Sequence, residues 1–287
     1  MARGLKFLRL TAGLAVIPFA AFLSASPALA ATAPSLGSAG SFAVLSAAPG
    51  HGGAVTCTTS SITGNVGSSG VAASVTNTGP CTITGSIIAP VSDQVVNDFN
   101  SAYASFAAVQ CGTVLTTLDG QILAPGVYCV DAAATSTGSV LTLNGPSTGT
   151  WIFKIGTSGT GALTGTNFNV VMEGGGQPCN VDWWVAQAAT MTDSNFVGTI
   201  LAGAAITIKR GTFSGDALAS TAVTMTDTKL VGCPGSTEHG KGQLEQHCNQ
   251  GVGNGPEGCD PGNSNNHNTS NDENGGMPGS PGRQGQK

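Results

Sequence analysis

Between Ala188 and Gly232 the chain repeats itself in blocks of seventeen residues: AATMTDSNFVGTILAGA, AITIKRGTFSGDALAST, then AVTMTDTKLVG. Thr190, Thr207 and Thr224 fall in register, as do Phe196, Phe213 and Leu230, and Gly198, Gly215 and Gly232. Leu201 matches Leu218, and Ala202 matches Ala219. A fixed short period is the mark of stacked structural units, each contacting only its neighbours. Seventeen residues cannot hold an amphipathic helix together with its turns. Runs such as AITI and AVTMT alternate apolar and small polar residues, the pattern of a strand with one buried face. Three short strands and three turns fit one such block. The repeat therefore predicts a β-solenoid.

The N-terminus reads separately. Arg3, Lys6 and Arg9 precede an apolar run from Leu10 to Leu23, and Ala28-Leu29-Ala30 supplies small residues for cleavage. This predicts a secretory signal peptide over 1–30, too short in its apolar run to be preferred as a membrane anchor. Removing it takes away three basic residues and no acids, so the net charge falls from −5 to −8. Such a balance argues against nucleic acid or an anionic membrane as partner. No other stretch approaches spanning length. Eight cysteines fit an oxidising compartment and disulfides, whose connectivity spacing alone does not fix. Cys57 and Cys81 lie about one long coil apart; Cys111 with Cys129 and Cys179 with Cys233 are the other pairs proposed, leaving Cys248 and Cys259 for a local loop. No C-x-x-C occurs and the histidines are not spaced with cysteines as zinc ligands are, so no metal or other cofactor is expected.

After a linker over 31–35, LGSAGSFAVLSAAPG opens the domain expected over 36–233. SSITGNVGSS and CTITGSIIAP resemble parts of the later repeat, with Ile62 and Ile83 standing where Phe196 and Phe213 stand. From Ser92 to Val109 the period changes to 3.6, with Ser92 as N-cap and Asp93 at the positive end. Val95, Val96, Phe99, Ala102, Tyr103, Phe106 and Val109 form one apolar stripe. WIFKI and WWVA are apolar on both alternations, so their outer side must be covered, and this helix is the available cover. The residues over 234–287 are rich in Gly, Asn, Pro, Ser and Gln with almost no bulky apolar residue, which predicts a disordered tail.

LGSAGSFAVLS, the paired ITG segments, LAPGVY, WIFKIG, QPCNVDWWV, FVGTILA and the closing AVTM together resemble the microbial ice-binding protein family, from about Leu36 to Cys233. The resemblance implies a discontinuous right-handed β-solenoid of triangular section with one long helix alongside. It also implies that the N-terminal coil lies beside C-terminal ones. Confirmed family members bind ice through a flat face of regularly spaced Thr, Ser and Ala; others serve adhesion or have no measured function.

The repeat itself places a face of that kind. Val223 and Met225 should point inward, leaving Thr224 and Thr226 outside; the same phase sets Thr190 and Thr192 outside, and Thr207 beside Lys209. Coils stack at roughly 4.8 Å, so the expected ice-contact residues are Thr190, Thr192, Thr207, Thr224 and Thr226, in two ladders. Outward threonine also simply suits a strand, and Lys209 and Arg210 interrupt the face with hydrated charge. Two readings stand: a secreted, monomeric ice-binding protein whose partner is the ice surface, or a cell-surface structural or adhesive module. Catalytic signals are weak. Gly145-x-Ser147-x-Gly149 has the nucleophile-elbow spacing, but a strand pattern follows it where a helix is required. Gly253-x-Gly255-x-x-Gly258 lacks a preceding strand. Asp193, Arg210 and Asp227 read as a surface ion pair rather than a lyase site, and His239 and His247 as solvated side chains. No catalytic residue is expected. Asn268-Thr269-Ser270 is a glycosylation sequon.

Overall fold

The structure, a computed structural model, describes residues 32–237. The expected signal peptide, nearly all of the expected tail, its sequon and Cys248 and Cys259 lie outside these residues. The described chain is mainly β, with strands paired in parallel from coil to coil and one sixteen-residue helix, Asp93–Ala108.

One sheet runs, in spatial order, through Ile87–Ile88, Val66–Ser68, Val44–Ser46, Ala217–Ala219, Thr199–Ala202, Val181–Val185, Trp151–Ile155, Gly126–Val130 and Thr113–Val114. The N-terminal strand Val44–Ser46 thus lies beside Ala217–Ala219 from the end of the domain, in the register Leu45 to Leu218. Stacking order departs from chain order at this one seam. The second sheet carries the seventeen-residue blocks. Ala189–Val197, Ile206–Ser214 and Ala222–Val231 pair in the register the repeat gives, Thr190 to Thr207 to Thr224 and Phe196 to Phe213 to Leu230. Ile62 pairs with Leu230, and Ile83 with Ile62. The two ITG segments are therefore further coils of the same stack.

Each long strand of the second sheet turns a corner in its middle. The residue there has positive φ in coil after coil: Asn167 (49°), Asp193 (52°), Arg210 (58°), Asp227 (51°) and Thr59 (47°), with Gly138 and Gly79 at the two ends of the column. A left-handed residue swings the chain through the corner without breaking the ladder; Gly, Asn and Asp tolerate this conformation best. The second sheet is thereby divided into two faces, and each full coil contributes to three.

Inside, one aromatic column links the coils. Tyr128, Phe153, Trp183, Phe196 and Phe213 follow each other at centroid separations of 5.5, 3.9, 5.0 and 5.4 Å. The Trp183 indole N–H donates to Val197 O at 2.9 Å, and that of Trp151 to Leu123 O at 3.0 Å, so neither ring buries an unpaired donor. Disulfides Cys57–Cys81, Cys111–Cys129 and Cys179–Cys233 staple the stack, and three such bonds fit an oxidising compartment.

The helix lies over the outer side of the first sheet. A sixteen-residue helix spans about 24 Å, the rise of five steps between strands at ~4.8 Å. Val95, Phe99, Ala102 and Phe106 are buried with Leu45, Ile152, Trp184, Leu201 and Leu218, while Val96, Tyr103 and Val109 pack at the margin. Ser92 holds the N-cap position, but its hydroxyl makes no capping bond; only its carbonyl is used, accepting from Val95 N–H at 3.0 Å. Three polar fastenings replace it. Asp98 Oδ2 accepts from Ser38 N–H at 2.8 Å and from its hydroxyl at 2.6 Å, which holds this carboxyl below its usual range. The Tyr103 hydroxyl donates to Val185 O and Ala186 O. Lys154, on a central strand, donates from Nζ to Ala107 O at 2.7 Å and Val109 O at 2.6 Å, capping the negative end of the helix. Lys154→Met should therefore lower stability by about 3 kcal/mol, the scale of lost charge-assisted bonds. Faster amide exchange near Val109 should accompany it; an unchanged melt would show that the helix is held by packing alone.

Candidate functional site

The corner column separates a face whose outward residues follow a single rule. On it the inward row runs Ala134, Leu163, Ala189, Ile206, Val223, Val55 and Val75 across successive coils. Next to each stands an outward threonine: Thr135, Thr164, Thr190, Thr207, Thr224, Thr56 and Thr76. Two residues further on the outward row reads Thr137, Thr166, Thr192, Lys209, Thr226, Thr58 and Thr78. Each coil thus presents T-x-T, except the central one, which presents Thr207-Ile208-Lys209.

The structure brings Thr190, Thr192, Thr207, Thr224 and Thr226 together on this face, in the order expected from the repeat. It adds eight threonines that lie outside the seventeen-residue blocks. TST at 135–137, TGT at 164–166, TCT at 56–58 and TNT at 76–78 were visible as T-x-T triplets, and that triplet is the signal that finds them.

The face is regular because backbone geometry makes it so. Seven coils at ~4.8 Å give rows about 29 Å long, and two residues of strand set the rows roughly 6.7 Å apart. Buried side chains pin it from beneath, among them Met191, Ile208 and Met225, and the Cys57–Cys81 bond ties its last two coils. Threonine's branched Cβ leaves little rotamer freedom, so methyl and hydroxyl stand at repeating positions. A surface held this way has little conformational freedom left to lose on contact with a rigid partner.

Charge is confined to the rim and the centre. Arg210 donates to Asp193 in a fork, Nε to Oδ1 at 2.5 Å and Nη2 to Oδ2 at 2.7 Å. The hydrogen bond from Arg210 keeps the Asp193 carboxyl below its usual range and raises the guanidinium in turn. Both groups are exposed, so the pair contributes little stability. Beyond the corner the third face is of another kind: Asn195 Nδ2 donates to Asn169 Oδ1 and Thr212 Oγ1 to Asn195 Oδ1, both at 2.7 Å, beside exposed Val140 and Val171.

Nothing comparable assembles around the other motifs. Ser147 lies between the strands Val140–Asn144 and Trp151–Ile155, with its carbonyl accepting from Asn180 Nδ2. His51, the one histidine among the described residues, contacts Ser69 O through Nδ1. Among the described residues no three His, Cys, Asp or Glu side chains gather as a metal site, and no helix is long and apolar enough to cross a membrane.

Fold and face define a class: a parallel β-solenoid with a helix on one side and, on another, a face of two threonine rows interrupted at Lys209. Residues 49–231 match the family model described as ice-binding-like, and the chain belongs to that family. It is 35% identical over 228 residues to an ice-binding protein of Nostoc sp. (strain HG1), covering 76% of this chain and 80% of that protein. An ice-binding protein of the Antarctic ascomycete Antarctomyces psychrotrophicus superposes with a TM-score of 0.59 at 29% identity, over 69% of this chain and 97% of that one. One from an Antarctic biological consortium does so with a TM-score of 0.61 at 27% identity, over 71% and 93%.

Proposed function

We propose that this protein binds ice, and that it does so through the T-x-T face as a secreted monomer without a cofactor. The observation that carries the reading is the face itself: two straight rows of threonine, seven coils long, with one charged interruption. A solenoid that served only as a spacer would need no such uniformity; outward strand residues on its third face vary through Val, Asn, Thr, Lys and Ser. Adsorption follows from matching ordered surface water to the crystal, and bound protein then restrains growth of the ice front. The coil is read as right-handed, the hand that parallel crossovers take. The relatives named above, themselves called ice-binding proteins, support the same assignment.

The purified protein should restrain recrystallisation of fine-grained ice at concentrations where an unrelated protein of equal mass has no effect. Crystal growth indistinguishable from that control would sink the ice reading in favour of a structural or adhesive module.

A further inference from the structure

Lys209 occupies the middle of the threonine face. Register pairs it with Thr192 on one side and Thr226 on the other, and three coils stack beyond it in each direction. It therefore divides the outer row into two runs of three threonines, while the inner row continues unbroken through Thr207. We propose that Lys209 is the residue that limits how tightly this face holds ice, so that replacing it by threonine makes the protein a stronger ice binder. The proposal rests on the reading of this face as the ice contact.

Three observations carry it. First, the lysine is not needed where it stands. Asp193, the acid whose carboxyl its charge influences, already has both oxygens engaged by Arg210, and Lys209 forms no salt bridge among the described residues. Secondly, the backbone at 209 is ordinary strand within Ile206–Ser214, paired on both sides with threonine, so threonine fits there without rearrangement. Thirdly, an ammonium is a compact and strongly hydrated charge. Contact with ice strips or distorts that hydration, which costs free energy, and the nearby Asp193 is already held by Arg210. The lysine is also exposed and its four-carbon stem is longer than a threonine side chain, so when extended it would hold a crystal away from the neighbouring hydroxyls.

The test compares the wild-type protein with Lys209→Thr, Lys209→Arg and Lys229→Thr in a recrystallisation titration, with melts to confirm folding. Lys229 is exposed and lies one coil on but round the corner, paired with Thr212, so it controls for net charge without touching the face. Lys209→Thr should act at roughly tenfold lower concentration, the factor that 1.4 kcal/mol of added affinity gives. Lys209→Arg, which keeps a long charged side chain at the centre of the face, should gain far less than Lys209→Thr, and Lys229→Thr, off the face, should match wild type. An active wild type that Lys209→Thr does not improve overturns the role of Lys209 and leaves the face in place. An equal gain from Lys229→Thr also overturns it, since net charge rather than position would then be the cause. Inactivity of wild type and Lys209→Thr alike overturns both this inference and the ice reading beneath it.

Discussion

Asp182→Asn should stabilise the protein at pH 8 by about 4 kcal/mol and remove most of its loss of stability between pH 4 and pH 7. Asp182 lies on the first sheet with 6% of its surface exposed, and Asp216, two strands along in the same row, with 2%. Burial pushes the Asp182 carboxyl up to about 7, with the charge of Asp216 adding to the effect. Asp216 has compensation, since its Oδ1 accepts from the Cys233 N–H at 2.9 Å. For Asp182 the sign is that of a raised acid. Below its unfolded value near 3.8 both states are protonated and there is no penalty. As pH rises towards 7 the unfolded chain releases its proton freely while the folded one resists, so stability falls, and it levels off above the folded value. Asp98 and Asp193, whose carboxyls are held low, act in the opposite sense but below pH 4, outside this window. An amide keeps the shape and carries no charge. For a domain of this size a gain of that order raises Tm by roughly 10 °C. Denaturant melts from pH 4 to pH 8 decide the matter; a flat wild-type profile, or an Asn variant no more stable at pH 8, would show that water or a cation relieves Asp182.

Much of this architecture could be read from the chain. The seventeen-residue register, the apolar stripe from Val95 to Val109 and its place over WIFKI and WWVA were legible because each is dictated by side-chain periodicity. The seam that seats Val44–Ser46 against Ala217–Ala219 was not. Pairing between distant parallel strands leaves no local signature, and only the family resemblance suggested it. The remaining threonines were missed for a related reason. Equivalent residues of adjacent coils stand 17 apart at Asn195 and Thr212, but 26 apart at Asn169 and Asn195, and 29 at Asn144 and Glu173. Turns of different length leave the strands in register while hiding the repeat from any search at one period. Asp182 was hidden too: in the sequence it is one acid before two tryptophans, and only the stacking places Asp216 near it.

The T-x-T face is the claim on which the functional account turns. Thr190→Tyr with Thr224→Tyr places two rings on the inner row, one on each side of Thr207, while the residues beneath, Met191, Ile208 and Met225, are untouched. Stability should change little, because both side chains project outward from regular strand. Ice contact should suffer severely, since a rigid surface touches a crystal only at its highest points. Lys229→Tyr puts a ring of the same size on the adjoining face. The most direct measurement is adsorption of the labelled proteins to a single ice crystal grown slowly from solution. The account predicts that wild type and Lys229→Tyr coat the crystal and that the double tyrosine variant, folded by its melt, adsorbs at least about tenfold less, the equivalent of 1.4 kcal/mol. Undiminished adsorption by the double variant would contradict it, and would move the ice contact to another face of the solenoid.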